Sequence, residues 1–419
     1  MYKFVHTADI HLDSPLRGLE AHDDAPVAEI RGATRRAFDA LIDLAIDEAV
    51  AFLLIAGDLY DGDWKDYNTG LYFAGRMGRL AKAGIKVFIV SGNHDAASQL
   101  TKAMPWPENV TIFSARKAES KKLEELGTII HGQSYSFRAV TDNLLAGYPR
   151  KEPGYVNIGL LHTSLTGRAG HEAYAPCTVA ELQATGYDYW ALGHVHRREI
   201  VGVEPWIVFP GNLQGRHIRE EGAKGVTVVT VEEGRITEVQ ERPLDVLRWA
   251  QYRVDLSECD SIESVYGAVR QALIRQREQA DGRTLALRLV LTGNCPVHAH
   301  LLARTAELTE EFRGIAAGIG ELWLEQVRFQ TSRKVRLEEI LGEDTPLAGL
   351  LQTVHQLELD ADTLLTLVPE LAVLKAKLPA EVDSDEEPFF DSSPAKIAEL
   401  HAEVRELLIA KLLQHGGSQ

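Results

Sequence analysis

From Tyr2 to about Glu241, short apolar runs alternate with stretches of helical spacing. The runs are Lys3-Phe4-Val5-His6, Phe52-Leu53-Leu54-Ile55-Ala56, Val87-Phe88-Ile89-Val90, Ile158-Gly159-Leu160-Leu161 and Tyr189-Trp190-Ala191-Leu192. Continuous apolar runs bounded by Gly, Asp and Asn suit strands buried on both faces, and the amphipathic stretches at 33–49 and 71–83 suit helices covering them. An α/β architecture follows. A further strand is predicted at 226–231, closed by a turn at Glu233-Gly234. Beyond it the pattern changes. Strands at 249–256, 284–291 and 321–329 alternate with helices at 262–277 and 297–312, a small α+β module of its own. From 337 onward the pattern is helical, with leucine-rich segments at 346–359 and 361–378. The stretch Glu381-Val382-Asp383-Ser384-Asp385-Glu386-Glu387-Pro388 has the composition of a linker. A last helix at 394–413 carries Ile397, Leu400, Val404, Leu407, Leu408 and Leu412 at helical spacing. Three domains are predicted: 1–243, 244–335, and a helical region at 336–419 that contains an acidic linker at 380–393.

The polar residues that follow the runs carry the chemistry. In order they are Asp9 and His11, Gly57-Asp58, Gly92-Asn93-His94-Asp95, His162 and Gly193-His194-Val195-His196. Ligands of α/β sheets gather at the carboxyl ends of strands, so these five clusters should meet at one edge. In Asp-x-His and His-x-His, alternate residues of extended chain would point to the same side. A carboxylate can bridge two ions about 3.5–4 Å apart. Imidazole and carboxylate donors without thiolate favour manganese, zinc or iron over a structural zinc site. Each cluster alone is common. Their joint occurrence, each after an apolar run, is the signal.

Composition narrows the picture. The 419 residues suggest roughly two to three domains, and 45% hydrophobic with 25% charged residues suits a globular protein. No stretch approaches the ~20 apolar residues of a membrane span, and the N-terminus runs directly into a charged motif, so a cytoplasmic protein without membrane association is expected. Cys177, Cys259 and Cys295 are far apart and form no ligand or disulfide pattern, which leaves them as packing residues in a reducing compartment. A net charge of -17 counts against a basic surface that grips nucleic acid unaided. Bound cations or a partner would have to supply the positive charge.

Asp9-Ile10-His11, Gly57-Asp58-Leu59-Tyr60-Asp61-Gly62, Gly92-Asn93-His94-Asp95, His162 and Gly193-His194-Val195-His196 together resemble the motifs of the calcineurin-like metallophosphoesterases. The resemblance covers about the first half of the chain. It implies a two-sheet αββα sandwich holding two divalent ions. One ion would take Asp9, His11, Asp58 and His196, and the other Asp58, Asn93, His162 and His194. A water acidified by both charges would attack phosphorus in line. His94 would steady or protonate the leaving oxygen, with Asp61 orienting it.

Two further stretches are more specific. His6-Thr7-Ala8-Asp9-Ile10-His11-Leu12-Asp13-Ser14-Pro15 and Phe209-Pro210-Gly211-Asn212-Leu213-Gln214-Gly215-Arg216-His217 resemble the SbcD-type DNA repair exonucleases, especially their YhaO-like branch. This likeness implies manganese ions, DNA as substrate, a cap formed by the α+β module, and C-terminal helices docked on an SMC-like (SbcC-type) ATPase. Dimerisation is common in the family. Arg216, His217 and Arg219 become candidates for gripping a substrate phosphate, against the plainer reading of a charged surface loop. Two alternatives stand beside the nuclease: a phosphodiesterase or phosphatase on small nucleotides, and a non-catalytic metal-bound scaffold.

Overall fold

The computed structural model describes residues 1–14, 27–61, 67–97, 106–166, 174–332, 346–356 and 394–416. It divides into two compact units, Met1–Ala250 with Ala280–Ala286, and Gln251–Gln279 with Leu287–Gln419. The first unit holds β1 (Tyr2–Thr7), β2 (Phe52–Ala56), β3 (Lys86–Val90), β4 (Val110–Ile112), β5 (Glu119–Leu123), β6 (Thr128–Gly132), β7 (Val156–His162), β8 (Tyr189–Gly193), β9 (Glu199–Val203), β10 (Trp206–Phe209), β11 (Gly225–Glu232) and β12 (Arg235–Pro243). They form two six-stranded sheets, in the orders β12-β11-β1-β2-β3-β4 and β5-β6-β7-β8-β10-β9.

The predicted runs are uninterrupted because both faces of their strands are covered. Phe4, Phe52 and Phe88 of one sheet meet Ile158, Tyr189 and Val208 of the other. The Phe4 ring stacks on Phe52 at 4.9 Å and meets Tyr189 edge-on at 5.4 Å. On the outer face of the first sheet, Val5, Leu53, Ile55, Val87 and Ile89 pack under α1 (Val27–Asp47) and α2 (Tyr67–Lys82) through Phe38, Leu41, Phe73 and Met77. Beyond the second sheet, Trp190, Leu192 and Ile207 pack with Leu182. Leu182 belongs to α4 (Val179–Ala184); α3 (Asn93–Ala97) is one short turn after β3. Four layers, αββα, result. Each fully buried large side chain contributes about 1.5–3 kcal/mol of transfer free energy.

Register places the site. β1, β2 and β3 run parallel, with Phe4 opposite Phe52 and Phe52 opposite Lys86, so the chain segments bearing Asp9, Asp58 and Asn93 leave from one edge. In the second sheet β7 and β8 are parallel with His162 opposite Gly193. His162 is the last residue of its strand.

After β12 come β13 (Leu247–Asp255), α5 (Ile262–Gln279), β14 (Thr284–Asn294), α6 (His298–Ala303), α7 (Thr305–Ile319) and β15 (Leu322–Ser332), with the sheet order β13-β14-β15. The single helix expected over 297–312 is two helices, because Arg304 between them leaves helical geometry at φ -122° and ψ 28°. In the second unit α8 (Pro346–Gln356) and α9 (Pro394–Gly416) follow. The C-terminal helix α9 packs against α6 and α8 of its own chain, and Glu406 approaches His298 Nε2 at 3.8 Å. Ile397 of its apolar stripe is buried, whereas Leu407 and Leu408 each keep 38% exposure. The stretch 361–378 and the acidic linker at 380–393 lie outside the described residues. Cys177, Cys259 and Cys295 are buried free thiols. No helix among the described residues is long and apolar enough to cross a membrane.

Candidate metal centre

The backbone leaving the strands is bent sharply. Asp9, His11, Asp58 and His194 all have positive φ, at 50°, 44°, 52° and 105°. Non-glycine residues occupy this region rarely and at an energetic cost, and such strain gathers at functional sites. The pairs Asp9/His11 and His194/His196 therefore converge through left-handed turns rather than through strand alternation, which corrects the expectation of extended chain. Hydrogen bonds stitch the turns together. Asp9 N donates to Gly57 O and His11 N to Asp58 O, both at 3.0 Å, and His194 N donates to both oxygens of Asp9. Gly92 lets the loops close, since a Cβ there would lie 2.3 Å from Asp58 Oδ1 and 2.8 Å from His162 Cε1.

Asp9, His11 and His196 place one donor atom each within 4.8 Å of one another, as do Asp9, Asp58 and His162. Asp58 Oδ2 stands between the two histidine groups, 3.5 Å from His162 Nε2 and 3.9 Å from His11 Nε2. Asn93 Oδ1 lies 2.9 Å from His162 Nε2. The His194 ring packs edge-on against His162 at 5.2 Å and against Tyr174 at 5.5 Å. Five of the seven residues expected to bind metal fall within these groupings, while Asn93 and His194 adjoin them through their contacts with His162. A third grouping, His11, Asp58 and His94, shows how near His94 lies to them.

The donors fit cations. His162 Nδ1 gives its proton to the Ala56 carbonyl at 2.9 Å, which leaves Nε2 an acceptor facing another acceptor, Asn93 Oδ1. His11 Nε2 faces His196 Nε2 at 3.3 Å, and among the described residues His11 Nδ1 has no hydrogen-bond partner. Burial pushes His162 down to about 4 and holds His11 well below its ordinary value, so both imidazoles are neutral, as metal ligands must be. Burial, and then the charge of Asp58, push the Asp9 carboxyl well above the usual carboxylate range. Burial likewise raises Asp58. Two crowded carboxylates among neutral imidazoles are short of positive charge, and divalent ions would supply it.

Beside this cluster, His94 Nδ1 lies 2.9 Å from Asp61, whose other oxygen accepts from the Ser14 hydroxyl at 2.5 Å. Burial opposes ionisation of Asp61, but the hydrogen bonds from His94 and Ser14 outweigh it and take it to about 2. Burial would lower His94, yet the Asp61 hydrogen bond and the charges of Asp58 and Asp61 carry it above its ordinary value.

Three supporting residues had no assigned role in the motif reading. Asp95 accepts from the backbone N–H groups of Leu59, Tyr60 and Gly92 at 3.2, 2.9 and 3.1 Å, tying the loop after β2 to the loop after β3. Tyr135 donates its hydroxyl to the His162 carbonyl at 2.9 Å. Glu220, 5% exposed, takes the Nδ1 side of His196 at 2.8 Å. It also receives Asn212 Nδ2, Arg216 N and the Arg216 guanidinium. Burial pushes the Glu220 carboxyl up, but these partners hold it far below its ordinary range. Arg216, expected as a phosphate grip, is thus engaged with Glu220 and lies 4.0 Å from Asp61, whereas His217 and Arg219 are exposed. Only Asp95, inside a recognised motif, left a sequence signal. Glu220 and Tyr135 stand in no motif.

Residues 2–198 match the family model of calcineurin-like phosphoesterases, and residues 249–332 match that of the YhaO metallophosphoesterase middle domain. A Bacillus subtilis (strain 168) protein described as an uncharacterized metallophosphoesterase YhaO is 38% identical over 297 residues, which span 70% of this chain and 72% of that protein. Among solved structures, TT1561 of Thermus thermophilus matches at 13% identity and a TM-score of 0.33, covering 57% of this chain and 98% of its own. A dimetal phosphatase from Danio rerio matches at 11% identity and a TM-score of 0.34, covering 55% of this chain and 93% of its own. The motif matches, the relative's coverage and the grouped donors agree: the chain belongs to the calcineurin-like metallophosphoesterases and is a homologue of YhaO.

Proposed function

We propose that this chain is a manganese-dependent DNA exo/endonuclease subunit of the SbcD type, working in the cytoplasm with an SMC-like ATPase. The observation that carries this reading is the Ser14, Asp61 and His94 relay set against the grouped donors. A sugar alkoxide leaves poorly unless it is protonated, and a positioned imidazole contributes about 10²–10⁴-fold by giving that proton. His94, hydrogen-bonded to Asp61, is positioned for the task. An ester of an acidic alcohol would not need it, and a scaffold that only stores metal would need no relay at all.

Two ions held by Asp9, His11, Asp58, Asn93, His162, His194 and His196 would supply charge to polarise the phosphoryl group and acidify an attacking water. The nitrogen and carboxylate donor set, without thiolate, suits manganese. The net charge of -17 supports a division of labour in which a basic partner holds most of the polyanion. The exposed Leu407 and Leu408 on α9 support docking of such a partner there.

The test supplies purified protein and manganese with labelled linear duplex DNA, single-stranded DNA and bis-p-nitrophenyl phosphate, with and without the ATPase. Metal-dependent DNA cleavage, lost in His94→Ala, is expected. Cleavage of the small diester alone, even with the ATPase present, sinks the nuclease reading, and an unchanged rate in His94→Ala removes the relay from it.

A further inference from the structure

We infer that Glu220 is a positioning residue that sets the proton of His196, and that it does so in competition with Arg216. The inference rests on the reading of His196 as a metal ligand. A carboxylate can only accept, so the 2.8 Å contact between Glu220 Oε1 and His196 Nδ1 places the proton on Nδ1. The Nε2 lone pair is then free to face His11 Nε2 at 3.3 Å and Asp9 Oδ1 at 3.9 Å, where a cation would sit. Arg216 Nη2 lies 3.3 Å from the same Nδ1, and a guanidinium can only donate. Satisfying that contact would require the Nδ1 lone pair, would move the proton to Nε2, and would turn the metal-facing nitrogen into a donor.

Glu220 settles the competition by accepting from both groups, since it also takes Arg216 Nη2 at 2.8 Å. The surrounding segment holds the arrangement in place. Asn212 Nδ2 and Arg216 N donate to Glu220 Oε2 at 2.9 and 2.8 Å, while Lys224 Nζ and Asn212 N donate to the His196 carbonyl at 2.8 and 3.3 Å. The stretch singled out in the sequence for Arg216 and His217 is therefore a clasp on one metal ligand. A carboxylate behind a ligating histidine fixes its tautomer and raises its basicity.

The experiment titrates manganese alone into the full-length chain and reads free ion by electron paramagnetic resonance, with no substrate present. Glu220→Ala should weaken one of the two manganese sites by about 10–100-fold. Glu220→Gln, whose amide can donate to Nδ1, should weaken the same site. Adding Arg216→Ala to either variant should restore part of the affinity, because the competing donor is gone. If Glu220 only staples the segment, the double variants bind no better than the singles, which overturns the inference, as does full affinity in Glu220→Ala. Thermal melts of each variant check folding, and the Gln variants carry the comparison should the Ala variant fail to fold. Wild-type stoichiometry in His196→Ala would instead overturn the ligand assignment itself, and the two failures are distinguishable.

Discussion

His162 and Asp58 have 0% and 2% of their side chains exposed, whereas His196, His94 and Asp61 keep 30%, 28% and 23%. The enclosed half is anchored on backbone groups. His162 donates to the Ala56 carbonyl and its own carbonyl receives Tyr135, while Asp95 gathers three backbone N–H groups. The open half is anchored on charged side chains, through Glu220 and Arg216 behind His196, and Asp61 with Ser14 behind His94. These buried hydrogen bonds to and from the backbone hold the side chains of the enclosed half in place. Side-chain anchors can exchange protons and meet solvent, as the proposed protonation of a leaving group by His94 requires.

Four outcomes would break or sharpen that contrast. Asp58 stands between the halves, so Asp58→Ala should cost both ions. Manganese stoichiometry measured after gel filtration should fall, and diester hydrolysis should drop by more than the about 10²-fold that losing an outer partner costs. Full occupancy of one site would show the halves to be independent. His94→Ala should act on the open half alone, lowering hydrolysis of a diester with an alkoxide leaving group by about 10²–10⁴-fold while metal content stays at the wild-type level. A parallel loss of metal would place His94 among the ligands, as its grouping with His11 and Asp58 allows.

Asp95→Ala should act on the enclosed half and register first as stability. Each buried N–H left without a partner costs about 1–3 kcal/mol, so the melting temperature should fall by several degrees or more with metal absent as well as present. An unchanged melting temperature would mean the two loops hold without their shared carboxylate. The smallest effect belongs to Ser14→Ala. One hydrogen bond to Asp61 is lost while His94 still holds it, so the rate should fall by roughly fivefold, the equivalent of about 1 kcal/mol. A fall as deep as that of His94→Ala would make the hydroxyl a partner in proton transfer rather than a support for Asp61.

Much of this was legible along the chain. The apolar runs marked the strands because burial on both faces demands continuous apolar sequence, and the residues after them marked the donors because parallel strands deliver their carboxyl ends to one edge. Those are local properties, readable wherever composition and spacing suffice. Element ends were less legible, as the break at Arg304 shows, since a single residue leaving helical geometry has no strong compositional mark.

What only the tertiary structure decided depends on contacts distant in sequence. That His11 and His196 share one point joins residues separated by 185 positions, and the left-handed turns at Asp9, His11, Asp58 and His194 are imposed by hydrogen bonds between loops of different strands. Arg216 reads as a phosphate grip in sequence because its charge is visible there. Its engagement is set by Glu220, whose burial and grip on His196 arise only when the segment after β10 folds back over the loop after β8. Residue type and strand order determined which atoms could bind a cation, and long-range packing determined which protons those atoms carry.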